Sequence, residues 1–289
     1  MQIIKFIKAN YLYVLWFLIY FNLAWILLGG DTNSFIAVSI VYGISIPLAL
    51  SPAGEFILRL LENCREPYTE KEKTYLLPLF EEVYQDAKEV YPKLNKGIKL
   101  YIMDAMYVNA FAIGRKTVAV TKGAIETFTE DELKGILAHE LGHMAYGHSK
   151  ALLLSLIGNL FFSVIVWFFR FILRIFQIIA NIGAFFSFVG IIFAVFIFLL
   201  RFLADMSNFV FVSISQMLLA LNSRQNEIQA DKFAYEVGYG GDLISGMYLL
   251  QKISINTKVR LAERLMATHP HIAYRIGKLE ELENEAIEA

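Results

Sequence analysis

His139-Glu140-Leu141-Gly142-His143 places two histidines four residues apart, with a glutamate directly after the first. On a helix, residues four apart lie one turn apart on the same face, so both imidazoles can reach one cation. The H-E-x-x-H spacing is that of sites in which the two histidines hold Zn²⁺ and the glutamate acts on water beside it. Further along, Glu227-Ile228-Gln229-Ala230-Asp231 puts two carboxylates one turn apart. As part of a site, Glu227 supplies the third ligand and Asp231 accepts from the outer N–H of a histidine, that of His139. As surface, the same pair is a solvated acidic face. The functional reading gains from context. All five histidines fall in two short segments, His139, His143 and His148 in one and His269 and His271 in the other. Scattered surface histidines would not gather this way.

His148 lies five residues beyond His143, which at 3.6 residues per turn points it off the ligand face. The longer pattern H-E-x-x-H-x-x-G-x-x-H would need Gly at 146 and His at 149, where this chain has Tyr146 and Ser149. The third ligand must therefore come from elsewhere. His269-Pro270, near Arg275, has two readings. In one, His269 donates to the oxyanion of a tetrahedral intermediate and Arg275 orders the acidic groups. In the other, it is a surface histidine at a helix-entry turn. Cys64 is the single cysteine, which excludes an internal disulfide and a cysteine-based zinc site and suits a reducing compartment. As a nucleophile it is weak, with no histidine near it in sequence.

The elements that must position these groups are legible in part. Thr129-Glu130-Asp131-Glu132 fits a helix-starting capping box. Leu133, Ile136, Leu137 and Leu141 then give an apolar stripe at helical spacing. A helical pattern runs from Leu76 to Tyr91, and strand-like runs at Ile98–Met103 and Lys116–Thr121 flank Asn109-Ala110-Phe111-Ala112-Ile113-Gly114. Met217 to Val237 reads as the helix carrying Glu227. A Gly-rich break at Gly238–Gly241 and two further helices follow.

Of the 289 residues, 57% are hydrophobic and 18% charged, more apolar and less charged than a soluble domain. Four stretches account for the excess: about 11–28, 35–53, 151–169 and 175–200, each near the ~20 residues a membrane helix needs. The first is too long in its core, and lacks a clear cleavage site, for a removed signal. The last two could also be a buried hairpin of a large soluble domain. Lys5 and Lys8 precede the first stretch, and the loop Gly29–Ser34 has Asp31 and no Lys or Arg. That puts the N-terminus and the site in the cytoplasm. Arg170 and Arg174, read as a loop between the third and fourth stretches, then fall on the wrong side, and a hairpin that only partly enters the bilayer would remove the conflict. The net charge of −1 gives no electrostatic reason to expect nucleic acid. The expected organisation is an N-terminal transmembrane hairpin at 1–61, the first part of a catalytic domain at 62–150, a second hydrophobic hairpin at 151–204, and the second part of that domain at 205–289.

In order along the chain, Asn109-Ala110-Phe111-Ala112 with Gly114, Val118-Ala119-Val120-Thr121, Thr129 to Leu133, His139 to His143, Glu227 with Ala230-Asp231, and Thr268-His269-Pro270 with Arg275 and Ile276 resemble the HtpX family of membrane-embedded zinc metalloproteases. These are gluzincins and relatives of the CAAX prenyl proteases. The resemblance implies a mainly α integral membrane protein with four transmembrane helices and a cytoplasmic α+β zinc-protease domain carrying a small β-sheet. It implies one Zn²⁺ on His139, His143 and Glu227, with Glu140 as general base and Asp231 supporting a histidine. It also implies that Asn109 to Ala112 belong to an edge strand that takes substrate in extended form. The expected role is quality-control cleavage of misfolded membrane or unfolded proteins in a bacterial-type inner membrane, as in a stress response. Two rivals are a narrow peptidase of lipidated C-termini and a catalytically silent membrane scaffold. Substrate, cleavage preference and oligomeric state have no signature in the chain.

Overall fold

The computed structural model describes residues 11–149, 160–254 and 271–288. Helices α1 (Tyr11–Leu27) and α2 (Thr32–Ala49) form an apolar hairpin. Asp31 caps α2 in a reciprocal box with Ser34, and the indole N–H of Trp25 donates to the Asp31 carbonyl at 2.9 Å. Both devices satisfy polar groups at the turn, where apolar surroundings would make an unmet donor costly. The short helix α3 (Pro52–Leu61) follows at once, capped by Ser51.

A four-stranded sheet is built from β1 (Cys64–Arg65), β2 (Lys99–Met103), β3 (Ala110–Ile113) and β4 (Thr117–Thr121), in the order β1-β2-β4-β3. β2 and β4 are parallel, and β3 returns antiparallel to β4 with Phe111 opposite Ala119. β3 therefore forms one edge of the sheet. Helix α4 (Glu70–Val90) adds Leu76, Leu79, Phe80 and Val83 to the buried core that also holds Leu100, Ile102, Val118 and Val120 of the sheet. It begins six residues earlier than the helical pattern from Leu76 indicates. The capping box of Thr69 and Glu72 starts it, and it runs through Pro78. After the single-turn α5 (Lys122–Thr127) comes α6 (Glu130–Tyr146), whose Leu133, Ile136, Leu137 and Leu141 are all buried in the same core.

Helices α7 (Leu160–Phe186) and α8 (Phe188–Glu236) pack together as a long hairpin. This corrects two sequence expectations. The break falls at Ser187, not at Arg170–Arg174, so both arginines sit within α7. The fourth apolar stretch and the helix carrying Glu227 are one helix of 49 residues, about 74 Å long at 1.5 Å per residue. The boundary expected at 204/205 therefore cuts a continuous element. Arg170 pairs with Asp205 at 2.5 Å, tying α7 to α8 below the apolar tip. Residues 175–200 carry no charge, and from Arg170 to the tip is about 26 Å, close to the thickness of a bilayer core. With the turn at Ser187, Arg170 and Arg174 do not lie in the loop between the two apolar stretches.

Among the described residues, three helical stretches are long and apolar enough to cross a membrane: Thr32–Ala49, Val166–Phe186 and Phe188–Met206. Val14–Ile26 is apolar but shorter. Phe185, Phe186, Phe188 and Val189 at the tip are each about three-quarters exposed or more, a surface that suits lipid and not water. The tip of the hairpin is thus not buried inside the molecule, against the reading of a buried core hairpin. Helices α9 (Gly240–Ser254) and α10 (Ile272–Glu288) close the core, the latter through Ile276 and Leu279.

Candidate metal centre

Helix α6 supplies two imidazoles and α8 one carboxylate to a single point. Nε2 of His139 and Nε2 of His143 lie 3.1 Å apart. Glu227 Oε2 is 3.5 Å from the first and Oε1 is 3.2 Å from the second. The close approach depends on Gly142. A Cβ there would stand 3.0 Å from the Ala230 Cα and 3.1 Å from the Phe233 Cβ, so any larger residue pushes α8, and Glu227 with it, away from the histidines.

The surroundings of these groups are dense with hydrogen bonds. Asp231 Oδ1 is 2.8 Å from Nδ1 of His139. Arg275, projecting from α10, donates from Nε and Nη2 to the two Asp231 oxygens at 2.8 and 2.6 Å, and its Nη1 forms an ion pair with Glu227 Oε2 at 2.9 Å. Glu140, Glu227, Asp231 and Arg275 are all buried. Burial opposes ionisation of Asp231, but the bonds from Arg275 and His139 outweigh it and hold the carboxyl below its ordinary range. Burial likewise opposes the charge on Arg275, and Asp231, Glu227 and Glu140 together keep it protonated. For His139, burial and Arg275 push the pKa down. The bonds to Asp231 and Glu227 more than offset them and leave it raised to about 10.

These residues fit a divalent cation. His139 and His143 offer Nε2 and Glu227 a carboxylate oxygen, a two-nitrogen, one-oxygen donor set that suits Zn²⁺ and leaves a position open. Charge supports the same conclusion. Three buried carboxylates face one buried guanidinium, and even with His139 protonated negative charge is left over in a region where unbalanced charge is expensive.

His148 is not at the centre, yet it is not idle. Its Nδ1 lies 3.1 Å from Nδ1 of His143, and its Nε2 lies 3.1 Å from Gln229 Oε1 on α8. Burial and the neighbouring His143 push its pKa down to about 3, so it is neutral and one nitrogen accepts. The relay His143–His148–Gln229 escaped the sequence reading, which asked only whether His148 could be a ligand. Gly147, left-handed at φ 82°, ends α6 before His148, and the turn it makes brings the imidazole against the outer side of His143.

The other expected residues are placed as follows. Ala110, Phe111 and Ala112 lie on the edge strand β3, which packs beside α6. Asn109 precedes it, its carbonyl accepting from the Thr121 N–H at 3.0 Å. Antiparallel pairs alternate, so the N–H and C=O groups of Ala110 and Ala112 face the free edge. His269 lies outside the described residues, and His271 is exposed at the start of α10. Cys64 is half-buried on β1, with its thiol pushed up to about 11 by burial and by Glu62. It is protonated at neutral pH and a poor nucleophile.

Comparison with known proteins follows the same lines. The sequence model of peptidase family M48 matches residues 71–283. A protein named Protease HtpX homolog from Helicobacter acinonychis is 47% identical over 58 residues, 19% of this chain and 19% of that protein. A Protease HtpX from Chromohalobacter salexigens is 27% identical over 213 residues, 65% of this chain and 67% of its own length. The matched segments thus span from a fifth to two thirds of these relatives. Among solved structures, Ste24p of S. mikatae superposes with a TM-score of 0.50 at 19% identity, covering 96% of this chain and 64% of that one. At that identity the likeness is one of fold.

Proposed function

This chain belongs to peptidase family M48, and from that premise we propose that it is a membrane-bound, zinc-dependent endopeptidase. Its substrates are membrane or unfolded polypeptides, cleaved at the cytoplasmic face of a bacterial-type inner membrane. The observation that carries the reading is the convergence of His139, His143 and Glu227 with Glu140 directly beside a ligand. A scaffold that bound without cleaving would have no use for that buried glutamate.

Zn²⁺ held by the three residues would supply a Lewis acid that polarises a carbonyl and makes water acidic enough to ionise near neutral pH. Asp231 accepts from Nδ1–H of His139, which fixes the tautomer that leaves Nε2 free to ligate. Arg275 holds one oxygen of Glu227 and both of Asp231, keeping the two carboxylates apart from each other's charge. Glu140 takes the proton of the attacking water and delivers it to the leaving amine. Ala110 and Ala112 offer backbone groups to an extended peptide, and His269 donates to the developing oxyanion. The cytoplasmic orientation rests on Lys5 and Lys8 against a Gly29–Ser34 loop with no Lys or Arg.

Metal analysis and proteolysis of the purified protein beside its Glu140→Gln variant test the reading. The variant should keep zinc and lose activity on a denatured membrane protein by ~10²–10⁴-fold, the usual contribution of a general base. Near-normal turnover by the variant would sink the mechanism. Zinc without turnover in the parent would favour the scaffold.

A further inference from the structure

Helix α3 is amphipathic in the inverted sense. Its polar face is turned to the protein. Glu55 is buried and accepts from the backbone N–H of Arg115 at 2.6 Å and of Lys116 at 3.3 Å. Arg59 donates to Thr117 Oγ1 at 2.9 Å and lies 4.8 Å over the Tyr101 ring. The outward face is apolar: Ala53, Phe56, Leu60 and Leu61 are exposed at helical spacing, while Ile57 at its border is half-buried against Ala49, Leu58 and Ile113. Phe56, Leu60 and Leu61 are 53%, 59% and 70% exposed. A helix on the aqueous surface of a protein shows the opposite pattern.

What covers this face follows from where the helix begins. Only Leu50 and Ser51 separate α3 from α2, an apolar helix long enough to cross a membrane. Ser51 as cap and Pro52 at the first position turn the chain there. α3 stays against the end of α2, since Ala49, Leu58 and Ile113 form one buried cluster. We propose that α3 lies in the lipid–water interface, with Phe56, Leu60 and Leu61 among the lipids, and holds the edge strand β3 at the bilayer surface. The clamp to β3 is tight. Glu55 sits so close that a Cβ on Gly114, at φ +59°, would stand 2.5 Å from its Cγ. The turn that it holds exposes Arg115 and Lys116, charges that complement anionic headgroups. Short amphipathic helices bind bilayers in this way, by apolar burial with basic groups at headgroup level. The edge strand is thereby kept where an extended segment emerges from the membrane.

The inference rests on α2 being a membrane span and not on the peptidase reading, and the test separates the two. In a Cys64→Ala background, single cysteines at Phe56, Leu60 and Leu61 carry a nitroxide, with Ile40 on the exposed side of α2 and Lys71 at the start of α4 as references. The protein is reconstituted in vesicles of phosphatidylethanolamine and phosphatidylglycerol. Collision with oxygen should exceed collision with a nickel chelate at 56, 60 and 61, as at 40, and the order should reverse at 71. The same cysteines carrying bimane should be quenched by lipids brominated near the headgroup. Values at 56, 60 and 61 that match Lys71 would place α3 in water and overturn the proposal. Low collision with both reagents would mean a protein partner or a second copy covers the face, and would overturn it equally. A water-like Ile40 would remove the membrane reading of α2 itself.

Discussion

Each group at the centre has a task that depends on its neighbour's protonation. In the metal-free protein His139 has its pKa raised to about 10 from an ordinary 6.5, so it carries a proton at pH 7 that a metal must displace. The sign follows. Its contribution to metal-free stability is complete below pH 6.5 and is lost as pH rises through about 10. Its effect on metal affinity runs the other way, rising with pH as the proton is lost. Titration calorimetry in buffers of different ionisation enthalpy should show proton release on zinc binding at pH 7. Absence of release would mean that His139 is already neutral. The two supports can be compared directly. Glu227→Ala should lose zinc. Asp231→Ala and His148→Ala should each weaken it by roughly 10–100-fold, as partners of ligating histidines do. Gln229→Leu should reproduce part of the His148 effect, because it leaves the second nitrogen of His148 without its acceptor. If Asp231→Ala abolishes binding while Glu227→Ala does not, ligand and support have been exchanged. Unchanged affinity in His148→Ala would show that His143 holds its orientation without the relay.

The elements explain why the groups meet. α6 brings both imidazoles because its apolar stripe faces the sheet and α4, which turns the ligand face toward α8. α8 brings Glu227 because Gly142 lets the helices touch. α10 inserts Arg275 between the carboxylates while Ile276 and Leu279 anchor it in the core. The edge strand offers a separable test. Ala110→Pro removes an N–H that faces outward and leaves the ladder to β4 intact, a position where an edge strand tolerates proline. Folding and zinc content should match the parent. Turnover of a peptide substrate should fall by about fivefold to tenfold, the worth of one backbone hydrogen bond. Parental turnover in this variant would show that substrate does not pair with β3.

At the scale of the molecule, the elements of the candidate centre are continuous with two apolar hairpins, through α2 and α3 and through α8, and the hairpins pack against each other where α8 meets α1. The placement of the turn at Ser187 makes a definite expectation for topology. In a Cys64→Ala background, single cysteines at Asn33 and Ser187 should react with an impermeant thiol reagent in intact cells. One at Lys73, exposed on α4, should not. Reaction at Lys73 alone would invert the orientation, and reaction at Asn33 without Ser187 would mean that the second hairpin stops inside the bilayer.

Local rules made several features legible in the sequence alone. The four-residue spacings of His139 with His143 and of Glu227 with Asp231 fix which groups share a face, because helix geometry does not depend on the rest of the chain. The capping box before α6, the strand character of β2 and β4 and the apolar stretches are local in the same sense. What depends on distant partners had no local signature. The chain hid the early start of α4, since Glu70-Lys71-Glu72-Lys73-Thr74 has no apolar residue to show a helical period. It misdirected the hairpin turn, since Arg170 and Arg174 look like a loop until Asp205 supplies a partner for one of them. It gave no sign that Gln229, a polar residue on an ordinary helix, would meet His148. Periodicity decides which side of each helix a residue occupies. Only the packing of α6, α8 and α10 into one core decides that those sides face one another across a space the size of an ion.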